Sequence, residues 1–512
     1  MAVNRNFLPL RIAILITDGA SAAVYRKLAE TLATAGHRVS LLLCGEDTIA
    51  LRHKNIEFVR LPPCCEAKIL SPAYIGRPYE AYLWLKARDF DVIHYSERGG
   101  FGHYLCSARR QGVAFAATIF CAGVIGPTLW QREAERRFPK ILAELSVDFL
   151  ERESVAHADA LAVFDSDALA WMKKQDWKLP EQIYEPTQHI ELKPVQPAPA
   201  PASFTKDSAP LVSVCLTHHN RPDFLQQALD SIEKQDYPNF EVVLVDDGSS
   251  NPAALKLLER LEPVFRAKGW QLIKQENRYQ GAAINRAAKQ ARGIYLKLMD
   301  DDNIAKPHEL SSFVRAAEAT GAAIVTCMLD GFYGDTAPVR GQKPAYRYLF
   351  IGRAIAVGAF QNAFGDNNAL IRREVFLALG GYCEDYGRGF TDWEFFARAA
   401  LKGYRIETIP EALFWRRDRR DSMLRTTGFF ENTLLSLQPY LVSLPTELRG
   451  LLLLARGISE SAAEMKKATK EFPLPPQGGE GQGEGGRSTK TVSKVSSPKA
   501  RHTPSPAKTK AC

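Results

Sequence analysis

Val242-Val243-Leu244-Val245-Asp246-Asp247-Gly248-Ser249 and Ile294-Tyr295-Leu296-Lys297-Leu298-Met299-Asp300-Asp301-Asp302-Asn303 decide the fold. Each is a short run of β-branched, aromatic and large aliphatic residues, the pattern of a buried sheet strand, and each ends in carboxylates. In an open α/β sheet, ligands bind beyond the carboxyl ends of the strands. Acids gathered there repel a bare phosphate but suit a hard divalent cation, which takes one or two carboxylates together with substrate phosphates. The ligand these clusters imply is a metal-chelated nucleotide.

On the amino-terminal side of this pair, residues 212–217 read as the opening strand of the same unit. The turn His218-His219-Asn220-Arg221-Pro222 and a helix over 225–235 follow. On the carboxyl-terminal side, Phe390-Thr391-Asp392-Trp393-Glu394-Phe395-Phe396 comes after Gly380-Gly381-Tyr382 and leads into an apolar helix over 396–401. An Asp just ahead of a helix commonly caps it. A capped, ordered carboxylate is also a well-placed base.

Further out, residues 1–190 alternate strands and helices. Segments 11–17, 38–43, 91–95, 114–120 and 160–164 read as strands and 25–32 as a helix, with Gly36 as a helix stop. Such alternation implies a parallel sheet. Residues 191–210, with Pro194, Pro197, Pro199, Pro201 and Pro210 among alanines, read as an extended linker. The second α/β unit spans 211–425 and further helices 426–470. From 471 to 512 the composition turns to Gly, Ser, Lys and Pro, which reads as a disordered basic tail.

A chain of 512 residues exceeds what one core supports. Its net charge of +8 suggests nucleic acid until the charge is located: Arg487 to Cys512 holds seven basic residues and no acid, leaving the rest at +1. The nine cysteines form no C-x-x-C pair and are odd in number, so reduced thiols in a cytoplasmic protein are expected. No apolar stretch reaches the length of a bilayer span. Residues 1–22 imitate a signal peptide, but Arg11 interrupts the apolar run, which instead reads as a first strand. The leucine-rich helices after Thr426 leave open a peripheral membrane contact.

The ordered series Asp246-Asp247-Gly248-Ser249, Asn277, Gly281, Asn285, Ala291-Arg292-Gly293, Asp300-Asp301-Asp302 and Asp392 resembles the family 2 glycosyltransferases, over roughly residues 211–425. The resemblance implies a GT-A catalytic domain for nucleotide-diphospho-sugars, behind a Rossmann-like parallel sheet domain. It implies that Asp247 recognises the base, Asp300 faces the ribose and Asp302 ligates Mn²⁺ or Mg²⁺. Asp392 would be the general base that deprotonates a carbohydrate or lipid-linked hydroxyl, with inversion at the anomeric carbon. Thr217, Asn220 and Asn285 join the implied donor site, Asn367 and Asn368 line its sugar pocket, and Arg416 neutralises the leaving diphosphate. The sequence departs from the family pattern at Thr391, Ile284 and Cys383, and it lacks the Gln-x-x-Arg-Trp motif of processive synthases.

Gly36-His37-Arg38-Val39, Asp91-Val92-Ile93-His94 and Ala158-Asp159-Ala160-Leu161 resemble the amino-terminal half of family 4 glycosyltransferases, whose donor-holding half has no counterpart here. The first unit is therefore expected to dock the acceptor without transferase activity of its own. His94, His103 and His157 read as packed residues. Two other functions remain open at this stage: nucleotidyl transfer on the same fold, and binding of nucleic acid or an anionic membrane by the basic tail.

Overall fold

The computed structural model describes residues 9–45, 53–64, 66–186, 204–419 and 427–471. Most of the expected linker, residues 420–426 and the basic tail beyond 471 lie outside the described residues. Among the described residues, those up to Ser459 form one compact unit and residues 460–471 fall in a second.

The first sheet is built from β1 (Arg11–Ile16), β2 (Arg38–Leu43), β3 (Ile56–Arg60), β4 (Val92–Ser96), β5 (Ile119–Val124), β6 (Ala160–Val163) and β7 (Gln182–Tyr184). Its order is β3-β2-β1-β4-β5-β6-β7, with every neighbour parallel. This is the Rossmann-like sheet the sequence implied. One strand lies later than expected: Phe115 turns with φ of +63° where the helix His103–Arg110 has ended, so pairing begins only at Ile119.

The second sheet comprises β8 (Val212–His218), β9 (Phe240–Asp247), β10 (Gln271–Gln275), β11 (Tyr295–Asp300), β12 (Ile304–Ala305), β13 (Ile324–Phe332), β14 (Tyr346–Tyr348), β15 (Leu370–Arg372) and β16 (Ile406–Arg417). Along it the order is β10-β9-β8-β11-β15-β13-β16-β12, with β14 beside β13. The strands β8 to β11 pair in parallel, whereas β15 runs antiparallel to both β11 and β13. All of β8 and β13 is buried, the polar Ser213, Thr217, His218, Thr326 and Asp330 included, as in strands covered on both faces.

The two sheets share one apolar core. Tyr79, Tyr82 and Tyr104, from the helices Ala73–Lys86 and His103–Arg110, belong to the same buried cluster as Met328, Leu349, Phe350 and Leu413. Arg347 fastens this joint. Its guanidinium donates to Asp330 at 2.7 and 3.1 Å, to Glu66 at 3.0 Å and to the Tyr79 hydroxyl at 3.2 Å. Around the same seam, Gln111 and Arg110 donate to Glu407, and Tyr82 to Glu411.

Candidate active site

β8 lies between β9 and β11, with Thr217 opposite Asp300 and His218 opposite Asp246. Asp247 and Asp300 thus leave the sheet from the same carboxyl rim, two strand spacings or roughly 10 Å apart. Asp247 is held on one side: its Oδ1 accepts from Gln275 Nε2 at 2.8 Å and from the Arg278 amide at 2.9 Å. Asn220 adopts φ of +58° and accepts from the Ser250 and Asn251 amides at 2.7 and 2.8 Å, which ties the two rim loops together. Thr217 is buried beneath them.

Asp300 Oδ1 accepts from Gln280 Nε2 at 2.5 Å and from Asn367 Nδ2 at 3.0 Å, and Asn367 in turn accepts from the Tyr382 hydroxyl at 3.0 Å. Asn285 secures Tyr382 from behind, accepting from its amide at 2.8 Å and donating to its carbonyl at 2.9 Å. The loop can approach this closely because residue 281 is a glycine, whose Cβ would stand 2.1 Å from the Cys383 carbonyl oxygen.

Asp392 begins the helix Thr391–Leu401, in its first turn and not ahead of it. Phe390, at φ of +58°, takes the cap position and no side chain caps the helix, so the expected capping role for Asp392 is not what the structure has. Burial, reinforced by the charge of Asp366, pushes the Asp392 carboxyl up to about 7, against the opposing pull of the Trp393 amide and Arg416. Burial also lifts Asp300 to about 7, aided by Asp302, Asp366 and Asp301. Asp366 therefore faces both groups, and Arg416 approaches it at 3.9 Å. Sequence reasoning did not single out Asp366.

The aspartate triplet divides its work. Asp301, wholly buried, meets His218 Nδ1 at 2.7 Å and Arg221 Nη2 at 2.7 Å. Arg221 Nη1 reaches Asp302 Oδ2 at 2.8 Å. His218, Arg221, Gln280 and Tyr382 also escaped the sequence reading, since none belongs to an acidic motif. Asn368 is not brought to the rim. It lies buried below, accepting from Lys297 Nζ at 2.7 Å and donating to Glu309 at 2.6 Å.

Among the described residues, no group of three or more His, Cys, Asp or Glu is arranged to hold a metal on protein ligands alone. The donor set nevertheless fits a hard cation of the kind that keeps waters and shares substrate phosphates. Asp302 and Asp300 are oxygen donors whose ionisation is held back by burial and by neighbouring carboxylates, Asp301 beside both and Asp302 beside Asp300, and a guanidinium already sits against Asp302.

The first sheet's rim is different. Glu97 and Glu151, both fully buried, have carboxylates filled by backbone amides. Glu97 accepts from Ile125 and Gly126 at 2.9 and 2.6 Å, and Glu151 from Gly99 and Thr128 at 2.9 Å each. His94 is buried, and burial pushes it down to about 4, in keeping with a packed residue.

Seven cysteines among the described residues carry free thiols, and no helix of those residues is long and apolar enough to cross a membrane. Residues 213–380 match the family model for glycosyl transferase family 2. The chain is similar to the O-antigen biosynthesis protein RfbC of Myxococcus xanthus, 28% identical over 243 residues, which covers 40% of this chain and 18% of that protein. An uncharacterized glycosyltransferase of Methanocaldococcus jannaschii is 26% identical over 218 residues, covering 42% of this chain and 73% of the relative. Among solved structures, S. aureus TarS 1–349 in complex with UDP-GlcNAc aligns with a TM-score of 0.40 at 18% identity, over 52% of this chain and 76% of that one.

Proposed function

We propose that the protein is an inverting, divalent-cation-dependent glycosyltransferase that moves a sugar from a nucleotide-diphosphate donor to a hydroxyl of a carbohydrate or lipid-linked acceptor. Surface polysaccharide or glycan synthesis is its proposed setting, in keeping with the relative named for O-antigen biosynthesis. What supports the reading is that the Asp300 and Asp392 carboxyls both feel the charge of Asp366, whose carboxylate Arg416 approaches at 3.9 Å.

In this reading Asp247 engages the nucleotide base, Asp300 the ribose, and Asp302 is the residue that holds the cation. When bound, that cation spreads the charge that develops on the leaving diphosphate. Arg416 adds a fixed positive charge on the same side, and Asn367 positions Asp300. Asp392 takes the proton from the acceptor hydroxyl as its oxygen bonds to the anomeric carbon and the bond to the diphosphate breaks. A carboxylate poised near 7 is matched to that task, since a base works best with a pKa near the operating pH. One base, opposite the leaving group, gives a single displacement and inversion. Asn285, Asn220 and Thr217 hold the rim loops. The first sheet domain, whose rim amides are taken by Glu97 and Glu151, serves to dock the acceptor.

The test is a thermal-shift screen of nucleotide sugars with and without Mn²⁺, followed by transfer from the best donor and NMR of the product's anomeric proton. Inverted configuration, with release of a nucleoside diphosphate, is expected. Retained configuration would overturn the single displacement, and release of inorganic diphosphate from a nucleoside triphosphate would establish nucleotidyl transfer instead.

A further inference from the structure

The helix Thr446–Glu471 turns an apolar side away from the protein. Leu448, Leu451, Leu454 and Ile458 follow one another at three, three and four residues, so they stand on one face, and they are 44%, 62%, 61% and 62% exposed. The inner side holds the helix to the body. Leu452 packs against the buried cluster that includes Phe396 and Tyr440, and the buried Arg456 donates to the Phe360 carbonyl. A surface helix ordinarily points its apolar stripe at the core and its charges at solvent. Here the arginine faces in and the leucines face out.

With Val442 and Leu453, six of the 21 large apolar side chains exposed among the described residues fall within residues 442–458. Single exposed leucines need no explanation, but a cluster marks a surface that meets something apolar. The outer side is open as well: a Cβ built on Gly450 or Gly457 meets nothing within 4 Å. No helix among the described residues is long and apolar enough to cross a membrane, so a bilayer would be met by a helix lying along it.

We propose that this face docks on an anionic lipid bilayer, with the leucines and Ile458 entering the boundary between headgroups and acyl chains and the following segment meeting the headgroups. Charge decides the occupant. Between residues 461 and 512 the sequence holds ten basic residues and four acids, with Lys466, Lys467 and Lys470 in the same helix. An apolar face followed by a basic run supplies the two signals that stable attachment to an anionic surface takes. Glu447, in the first turn, is the one acid between 446 and 459 and stands at the end of the helix remote from the lysines. A second copy of the chain would also cover the leucines, but it would set the same positive charge against itself and leave it unanswered.

The experiment is sedimentation of the full-length protein with vesicles of phosphatidylcholine alone or mixed in equal parts with phosphatidylglycerol, beside sedimentation velocity without lipid. Binding to the mixed vesicles is expected, with binding to phosphatidylcholine alone about tenfold weaker or less. The double variant Leu451→Glu and Leu454→Glu changes surface positions, so its Tm should match the wild type. It should bind the mixed vesicles about a hundredfold more weakly, roughly tenfold for each leucine kept out of the bilayer. Lys466→Glu with Lys467→Glu should cost about tenfold. The measurement contains no donor sugar, so its failure leaves the transferase reading untouched. Absence of binding to the mixed vesicles would end the proposal. Binding unchanged by the leucine variant and lost in the lysine variant would assign attachment to charge alone and remove the face from it. A wild-type dimer that the leucine variant dissociates, with no vesicle binding, would make the face an interface between copies.

Discussion

The two sheets treat buried acid at their carboxyl rims in opposite ways. On the first, Glu97 and Glu151 spend their oxygens on the amides of Ile125, Gly126, Gly99 and Thr128, so each carboxylate closes a loop. On the second, Asp300 lies within the charges of Asp302, Asp366 and Asp301, and Asp392 within that of Asp366. The contrast teaches that burial of an acid is not itself a functional signal. Burial raises Glu97 to about 7 and Glu151 to about 8, as it does Asp300 and Asp392. What separates the rims is the company each carboxyl keeps, mainly loop amides on the first and neighbouring aspartates on the second.

The sharpest test of that contrast is at Asp392. Asp392→Asn should lower kcat by about 10²–10⁴-fold, the usual range for a general base, with nucleotide affinity kept. Turnover within tenfold of the wild type would remove Asp392 from the chemistry. Next comes Asp302→Asn, for which we expect loss of the Mn²⁺-dependent part of nucleotide binding in a titration. An affinity equal to wild type in the presence of Mn²⁺ would break the cation assignment. On the other rim, Glu97→Ala should destabilise the fold by about 1–3 kcal/mol in urea, since it leaves the Ile125 and Gly126 N–H groups without their acceptor. Its kcat per folded molecule should be unchanged, and a large fall there would erase the distinction between the rims.

Two smaller effects follow from acidity. Asp392 is raised to about 7, so it is protonated below that pH, and kcat/KM should fall as pH drops through 7. A profile flat from about pH 5.5 to 8 would contradict the base role. Asp300 and Asp392, raised in the folded state above their unfolded values near 4, bind more protons folded than unfolded. Stability contributed by this recess is therefore greatest at acid pH and falls as pH rises from about 4 through 7. A cation that needs the ionised carboxylates should restore it. Mn²⁺ is expected to raise the Tm more at pH 8 than at pH 5.5, and the reverse order would show that it binds elsewhere.

Much of the second sheet is legible in the sequence because β9 and β11 are buried along nearly their whole length and their apolar runs end in acids. The rim positions of Asp247, Asp300 and Asp302 follow directly. Asp366 is harder to read: it faces the recess only because Gly365, at φ of +154°, packs its backbone against Thr326, a contact no local pattern announces. Asn368, its near neighbour, points below the sheet into the pair Lys297 and Glu309. A period-two reading cannot foretell that in a loop. The joint is also invisible from one stretch, since Arg347 and Glu66 are 281 positions apart and only the folded chain brings them together.

That joint bears on how the chain is made. Tyr82 leaves the ribosome 329 residues before Glu411, its hydrogen-bond partner, so at ordinary elongation speeds of about 5–20 residues per second it waits roughly 16–66 s. Throughout that interval the aromatic flank of the nascent first domain waits uncovered for the second.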